Sequence, residues 1–264
     1  MNQAGICHLS VAPIRSGPSH KEEMVNQMLF GETYEIKETS EDWVFIKTLH
    51  DDYHGWVDIK QVHLISENTF QKIQALSQLH TTELVQLIFN HEKKCFIPIL
   101  MGSVIPYLNG KVFYIDDTQY TYEGDTIGVR KNVSAEGIIE TSKMYLNTPY
   151  LWGGRSPFGI DCSGLVQMIF KINGIQLKRD AHDQAQQGET ISFISDAKAG
   201  DVAFFDNAEG QIVHTGIITG KGTILHASGS VRYDSIDHYG IFNYNENKYT
   251  HKLRLIKRYL HEKS

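Results

Sequence analysis

The sequence predicts an α+β protein. Three signals follow one another along its 264 residues: short β-rich runs in the N-terminal part, one apolar helix opened by Asp161-Cys162, and a strand pair near the C-terminus that carries two histidines. The β-rich runs come first. Thr33-Tyr34-Glu35-Ile36-Lys37, Trp43-Val44-Phe45-Ile46-Lys47 and Gly55-Trp56-Val57 are strand-like and separated by turn residues such as Asp51-Asp52-Tyr53. They define a first β domain over residues 1–65. Residues 66–82 read as a Gln-rich helical connector, and residues 83–130 as a second, poorer β domain around Phe96-Ile97-Pro98-Ile99 and Val112-Phe113-Tyr114-Ile115. Residues 131–264 hold the helix and the hairpin.

The helix follows a Gly-rich, aromatic loop, Asn147-Thr148-Pro149-Tyr150-Leu151-Trp152-Gly153-Gly154. Leu165, Val166, Ile169 and Ile172 recur at helical spacing, Gly174 ends the run, and Asp161 is the natural N-cap. Cys162 then lies in the first turn. Unpaired backbone N–H groups and the positive end of the helix dipole favour thiolate there and can bring its pKa toward neutrality. Cysteine is also among the commonest buried residue types, so this segment alone leaves a structural helix-start cysteine equally open.

The hairpin runs Ile212-Val213-His214-Thr215-Gly216-Ile217-Ile218, turns at Gly220-Lys221-Gly222, and returns as Thr223-Ile224-Leu225-His226-Ala227. A three-residue turn centres the pairing on Lys221 and sets His226 opposite Gly216 and His214 opposite Ser228. Both imidazoles then share a face as diagonal neighbours. A two-residue turn would throw His226 to the other side.

One thiol and two imidazoles suit acyl transfer through a thioester. Cys162 attacks, His214 takes and returns the proton, and His226 accepts the Nδ1–H of His214 to fix its orientation. Backbone N–H groups at the helix start and the Tyr150 hydroxyl would meet the oxyanion. A zinc site is the rival use of these groups, and it lacks a fourth ligand and the usual close ligand pairs. The expectation is therefore no metal and no cofactor.

Thr148-Pro149-Tyr150 with Trp152-Gly153-Gly154, Asp161-Cys162-Ser163-Gly164, Gly200-Asp201 with Phe204-Phe205, His214-Thr215-Gly216-Ile217 and His226-Ala227-Ser228-Gly229 occur in that order. In these blocks the C-terminal region resembles the NlpC-type cysteine peptidases, papain-like enzymes of bacterial peptidoglycan. The resemblance implies Cys162, His214 and His226 as the catalytic triad. Ile14-Arg15-Ser16-Gly17-Pro18 and the closing Gly-Trp-Val make the first domain similar to a bacterial SH3-like barrel, with residues 83–130 as a candidate second one.

The combination resembles the γ-D-glutamyl-L-diamino acid endopeptidases of cell-wall peptide recycling, which release L-Ala-γ-D-Glu from stem peptides with a free N-terminal amine. The resemblance implies a murein stem peptide as partner, carrying meso-diaminopimelate or L-Lys. It also implies Glu32, Tyr53, Asp161 and Ser163 as substrate-binding residues, with carboxylates meeting the substrate ammonium. Arg179-Asp180-Ala181 departs from the Arg-Asp-Ser often found in such enzymes. Alternative activities on the same framework are an endopeptidase, amidase or acyltransferase acting on intact peptidoglycan, or wall binding without catalysis.

Hydrophobic residues at 41% and charged residues at 21% fit a globular enzyme with a normal core. A formal charge of -6 argues against nucleic-acid or anionic-membrane partners. Three widely spaced cysteines, Cys7, Cys95 and Cys162, fit reduced thiols better than a disulfide framework. No stretch is apolar enough to span a membrane. Met1-Asn2-Gln3-Ala4-Gly5-Ile6-Cys7 has no charged start followed by an apolar run, so the expectation is a cytoplasmic enzyme, or an exported one whose signal was removed.

Overall fold

The computed structural model describes residues 3–76, 78–128, 133–220 and 222–260. The chain divides into two compact units, residues 1–130 and 131–264. The expected boundary at 130/131 and Lys221, the apex of the expected turn, lie outside the described residues, as do Met1 and Asn2.

In the first unit, strands β1 (Ala4–Ile6), β2 (Val11–Arg15), β3 (Met24–Leu29), β4 (Thr33–Ser40), β5 (Trp43–Thr48) and β6 (His54–Asp58) form one antiparallel sheet in the order β1-β4-β5-β6-β2-β3. Alternation decides which face is buried. In β5, Val44, Ile46 and Thr48 turn inward while Trp43, Phe45 and Lys47 stay partly exposed. The inward set packs with Ala12, Ile14, Met28, Tyr34 and Val57, giving the SH3-like core.

Helix α1 covers only Glu67–Ala75, opened by Ser66, whose hydroxyl accepts from the Thr69 N–H. The connector expected over 66–82 is therefore shorter than the sequence suggests. Leu79–Thr81 forms β7, because it pairs on both sides with β10 (Val104–Ile105) and β13 (Thr126–Ile127). Strands β8 (Val85–Asn90), β9 (Cys95–Leu100), β11 (Val112–Ile115) and β12 (Thr118–Tyr122) make a second small sheet, ordered β11-β12-β8-β9. Ile88, Ile99, Phe113 and Tyr120 share a core with Phe30 and Ile73.

The second unit starts with α2 (Ala135–Lys143), followed by the short pair β14 (Arg155–Ser156) and β15 (Gly159–Ile160), then α3 (Cys162–Ile172) and α4 (Ala181–Gln184). Seven strands complete it: β16 (Glu189–Ile191), β17 (Val202–Asp206), β18 (Ile212–Gly220), β19 (Thr223–Ser228), β20 (Ser230–Ile236), β21 (Gly240–Asn243) and β22 (Lys248–Arg258). Their order is β16-β22-β17-β18-β19-β20-β21, and a further β21–β22 pairing closes the sheet on itself around Ala203, Phe205, Ile218, Ile224 and Ile241.

Every residue of α3 is buried. Full burial of side chains such as Leu165, Ile169 and Phe170 contributes about 1.5–3 kcal/mol each, so this helix is anchored by its apolar body rather than by its ends. Among the described residues, no helix is long and apolar enough to cross a membrane.

Candidate active site

Cys162 is the first residue of α3, and Asp161 caps it, accepting from the Gly164 N–H at 2.7 Å. The preceding loop is drawn tight against this cap. Gly153, at φ +75°, directs its N–H onto Asp161 Oδ2 at 2.9 Å. Gly164 has no room for a side chain, since a Cβ there would meet the Gly154 carbonyl oxygen at 2.4 Å.

Strands β18 and β19 pair Gly216 with His226, Ile217 with Leu225 and Ile218 with Ile224, the register that a turn centred on Lys221 requires. A bulge between Ile218 and Gly220 is confined to the turn end. Gly216 lies opposite His226, and a Cβ on it would approach the His226 Cβ at 2.8 Å. Both imidazoles are buried on one face, and His214 Nε2 lies 2.8 Å from His226 Nδ1. The sequence reading had His214 donating from Nδ1; the structure uses Nε2 instead. That leaves Nδ1 of His214 as the nitrogen that can act as base.

Two further residues, which sequence reasoning missed, complete the arrangement. Asp234 Oδ2 accepts from His226 Nε2 at 3.0 Å, and Arg232 Nη2 donates to Asp234 Oδ1 at 2.7 Å. Burial pushes the Asp234 carboxyl upward, but the His226 and Arg232 hydrogen bonds outweigh it and hold the group below its ordinary value. The signal existed in Ala227-Ser228-Gly229-Ser230. A turn centred on Gly229 pairs His226 with Arg232 and Ile224 with Asp234, so Asp234 is the diagonal neighbour of His226. His251 had no local signal. It comes from β22 and stacks on His214 with ring centroids 4.0 Å apart and planes 24° from parallel.

Nitrogens of His214, His226 and His251 lie within 4.8 Å of one another, near enough by distance to share a metal ion. The directions do not suit one. A metal lies in the plane of each imidazole it binds, and two nearly parallel stacked rings have no such common point. His214 and His226 also already face each other across a hydrogen bond.

The electrostatics correct one expectation. Burial pushes the Cys162 thiol up to about 12, and Asp161 adds to the rise; a backbone hydrogen bond from Thr215, the Arg179 charge and Ser163 pull the other way without offsetting it. Desolvation of a nearly inaccessible sulfur thus outweighs the helix terminus. Burial likewise drives His214 well below its ordinary value, assisted by His251 and His226. Burial thus disfavours the charged form of both the thiol and the imidazole. The Thr215 hydrogen bond holds the sulfur against the strand that carries His214. The Tyr150 phenol is pushed up to about 12 by burial, with Cys162 and Asp161 adding, so its hydroxyl remains a donor at working pH.

Asp161 and Ser163 are engaged differently from the sequence expectation. Arg179, itself 2% exposed, grips Asp161 through Nη2–Oδ2 at 2.6 Å and Nη1–Oδ1 at 3.0 Å. With Gly153, Gly164 and the Ser163 hydroxyl also donating, five hydrogen bonds fall on a carboxylate that has about four lone-pair sites. Asp161 therefore has its countercharge and five hydrogen-bond donors inside the protein. Ser163 Oγ accepts from Arg179 Nη1 at 2.8 Å. Arg179 thus bolts the Asp161 cap in place.

In the first unit Glu32 is 2% exposed, and its Oε2 accepts from the Leu29 N–H at 2.9 Å. It is a buried residue of the connection between β3 and β4. His50 Nε2 stands 3.7 Å from Glu32 Oε1 and 3.2 Å from Asp51 Oδ2, close in distance but misaligned for a hydrogen bond. Tyr53, half-buried, is fixed through its N–H, which donates to Thr48 Oγ1 at 3.0 Å. Cys7, Cys95 and Cys162 are all free thiols.

A thiol at a capped helix start, hydrogen-bonded to the Thr215 backbone beside His214, and a His-His-Asp relay on a closed antiparallel sheet are the arrangement of a papain-like cysteine hydrolase. Residues 147–254 match the NlpC/P60 family and residues 14–62 the bacterial dipeptidyl-peptidase Sh3 domain. The chain is 32% identical over 216 residues to the gamma-D-glutamyl-L-lysine dipeptidyl-peptidase of Bacillus subtilis (strain 168), covering 76% of this chain and 71% of that relative. It is 27% identical over 236 residues to the enzyme of the same name from Bacillus cereus (strain ATCC 10987), covering 80% and 69%. The crystal structure of an NlpC/P60 family protein from Bacillus cereus ATCC 10987 shares the fold, with TM-score 0.82 and 21% identity over 97% of this chain and 99% of that one. The chain belongs to the NlpC/P60 family and is a cysteine peptidase of it.

Proposed function

We propose that this enzyme hydrolyses the γ-D-glutamyl–L-diamino acid bond of cell-wall stem peptides and releases L-Ala-γ-D-Glu. The observation that carries the chemistry is the relay Asp234–His226–His214, whose last member lies on the strand against which Cys162 is held. The substrate is supported by the two Bacillus relatives, whose names specify a γ-D-glutamyl-L-lysine bond and whose likeness extends over more than two thirds of each chain.

Asp234 is ionised and only accepts, so His226 carries its proton on Nε2 and offers its Nδ1 lone pair to the Nε2–H of His214. Nδ1 of His214 is then unprotonated and takes the thiol proton as Cys162 Sγ attacks the γ-carbonyl. The Tyr150 hydroxyl and the helix-start N–H groups meet the oxyanion. The diamino acid leaves with the proton returned by His214, and water hydrolyses the thioester by the reverse relay. Glu32 and Tyr53 are the proposed amine-end residues by family resemblance. Asp161 and Ser163 contribute by fixing the nucleophile rather than by binding charge.

The test is parallel digestion of L-Ala-γ-D-Glu-L-Lys and its N-acetylated form, read by mass spectrometry. Release of L-Ala-γ-D-Glu from the free peptide alone supports the dipeptidyl-peptidase. Equal cleavage of both contradicts amine recognition, and cleavage of neither contradicts the assignment of this bond.

A further inference from the structure

The second unit holds an open cavity of about 590 Å³, walled in part by Phe205, Asp206 and His251. Phe205 and His251 are also the rings that flank His214, with centroids 5.8 Å and 4.0 Å away. The cavity therefore adjoins the base. In acyl transfer the base hands its proton to the departing amine, so the residue that leaves stands beside the base and can extend its side chain into this space.

Asp206 gives the cavity its chemistry. Its side chain is 3% exposed, and Oδ1 has no hydrogen-bond partner. The cations near it are Lys252, with Nζ 3.8 Å from Oδ1, and Arg254, with Nε 3.7 Å from Oδ2. Both lie beyond hydrogen-bonding distance, on side chains 76% and 60% exposed. A buried carboxylate oxygen left unbonded is costly, and an ammonium is the ligand that best satisfies it. One part of the wall suits an aliphatic stem. Val213, Tyr239 and Tyr249 are exposed apolar surface, and Tyr249 is held by its hydroxyl, which donates to Asp237 Oδ2 at 2.6 Å.

We infer that this cavity receives the side chain of the diamino acid that departs, with its ammonium on Asp206 and its methylenes along Val213 and Tyr239. Lys252, which also lines the cavity, is placed to meet a carboxylate of the same residue. The assignment rests on the γ-glutamyl–diamino acid reading above and names the group by which that reading selects its leaving residue.

Calorimetric binding to the Cys162→Ala protein, in which no turnover intervenes, tests it with L-Ala-γ-D-Glu-L-Lys and the same peptide ending in L-norleucine. The lysine peptide binds at least about tenfold tighter, and Asp206→Asn removes that preference. Val213→Lys, a change at an exposed wall position that carries a competing ammonium into the cavity, also removes it and does not depend on how the Asn variant folds. Equal affinity for the two peptides, or a lysine preference that survives either variant in folded form, overturns the inference. Cleavage by the unmodified enzyme is read separately. Failure to cleave either peptide contradicts the proposed function, while the calorimetric preference still decides the role of Asp206.

Discussion

His226 Nδ1 faces His214 Nε2 at 2.8 Å, and the opposite nitrogen of His226 is tied to Asp234 at 3.0 Å. One carboxylate thus sets the tautomer of two imidazoles in series. Asp234→Asn removes the obligatory acceptor and lets His226 adopt either tautomer. It is expected to lower kcat by roughly 10- to 100-fold with little change in KM, less than loss of a directly attached triad carboxylate because Asp234 acts one ring further out. Steady-state kinetics on folded protein check this, and an unchanged kcat contradicts the relay.

Burial pushes the Cys162 thiol up to about 12 and drives His214 down, which disfavours a preformed thiolate–imidazolium pair. Alkylation of Cys162 by iodoacetamide should therefore accelerate about tenfold per pH unit from neutrality to pH ~9 without a plateau. A plateau beginning near pH 5–6 would show a preformed thiolate–imidazolium pair. Turnover has the opposite edge. His214 loses its base form only as pH falls through a value below the ordinary 6.5, so kcat/KM should hold its level to below pH 6.5 before declining.

The helix, its Asp161 cap and the β18–β19 register were legible because each is set by local chemistry: an Asx cap, 3.6-residue periodicity, and a turn whose length fixes parity. Asp234 was within reach of the same parity argument one hairpin further on. His251 and Arg179 were not, since each arrives from an element distant in sequence and its partner is decided by sheet closure or by burial. The thiol pKa escaped for a related reason. A helix terminus can be read from sequence, whereas the desolvation that outweighs it depends on everything packed around the sulfur. The connector was misjudged where β7 gains two partners that no window around residue 80 contains.

Arg179 and Asp161 form a buried, doubly hydrogen-bonded ion pair, with side chains 1% and 6% exposed. Arg179→Met strands the carboxylate and should destabilise the second unit by about 3–5 kcal/mol. Asp161→Asn combined with Arg179→Met should recover part of this loss, because no buried charge is then left alone. Urea unfolding of the three proteins measures it. A single-variant loss under about 1 kcal/mol, the range of an exposed ion pair, would contradict the buried role.

Stability should fall in mild acid. Burial first, then neighbouring positive groups, lowers His8 to about 4, and burial with His226 lowers His251 to about 4, while His214 is pushed down as well. The unfolded chain binds protons at these sites as pH drops below 6.5 and the folded chain does not, so stability is full above that value and declines toward pH 4. Asp234 and Asp116, both held below the ordinary carboxylate value, add their loss only at lower pH. Urea midpoints at pH 7.5, 5.5 and 4.5 should decrease in that order, and equal midpoints would contradict neutral burial of these histidines.

The most direct test is capture of the acyl-enzyme. The enzyme is mixed with L-Ala-γ-D-Glu-L-Lys, quenched in acid during turnover, and analysed by intact-mass and peptide-level mass spectrometry. The predicted result is a thioester adduct whose added mass is that of L-Ala-γ-D-Glu less water, confined to the peptide containing Cys162 and absent from Cys162→Ala. Turnover of the peptide by Cys162→Ala, or an adduct on Cys7 or Cys95 instead, would contradict Cys162 as the nucleophile.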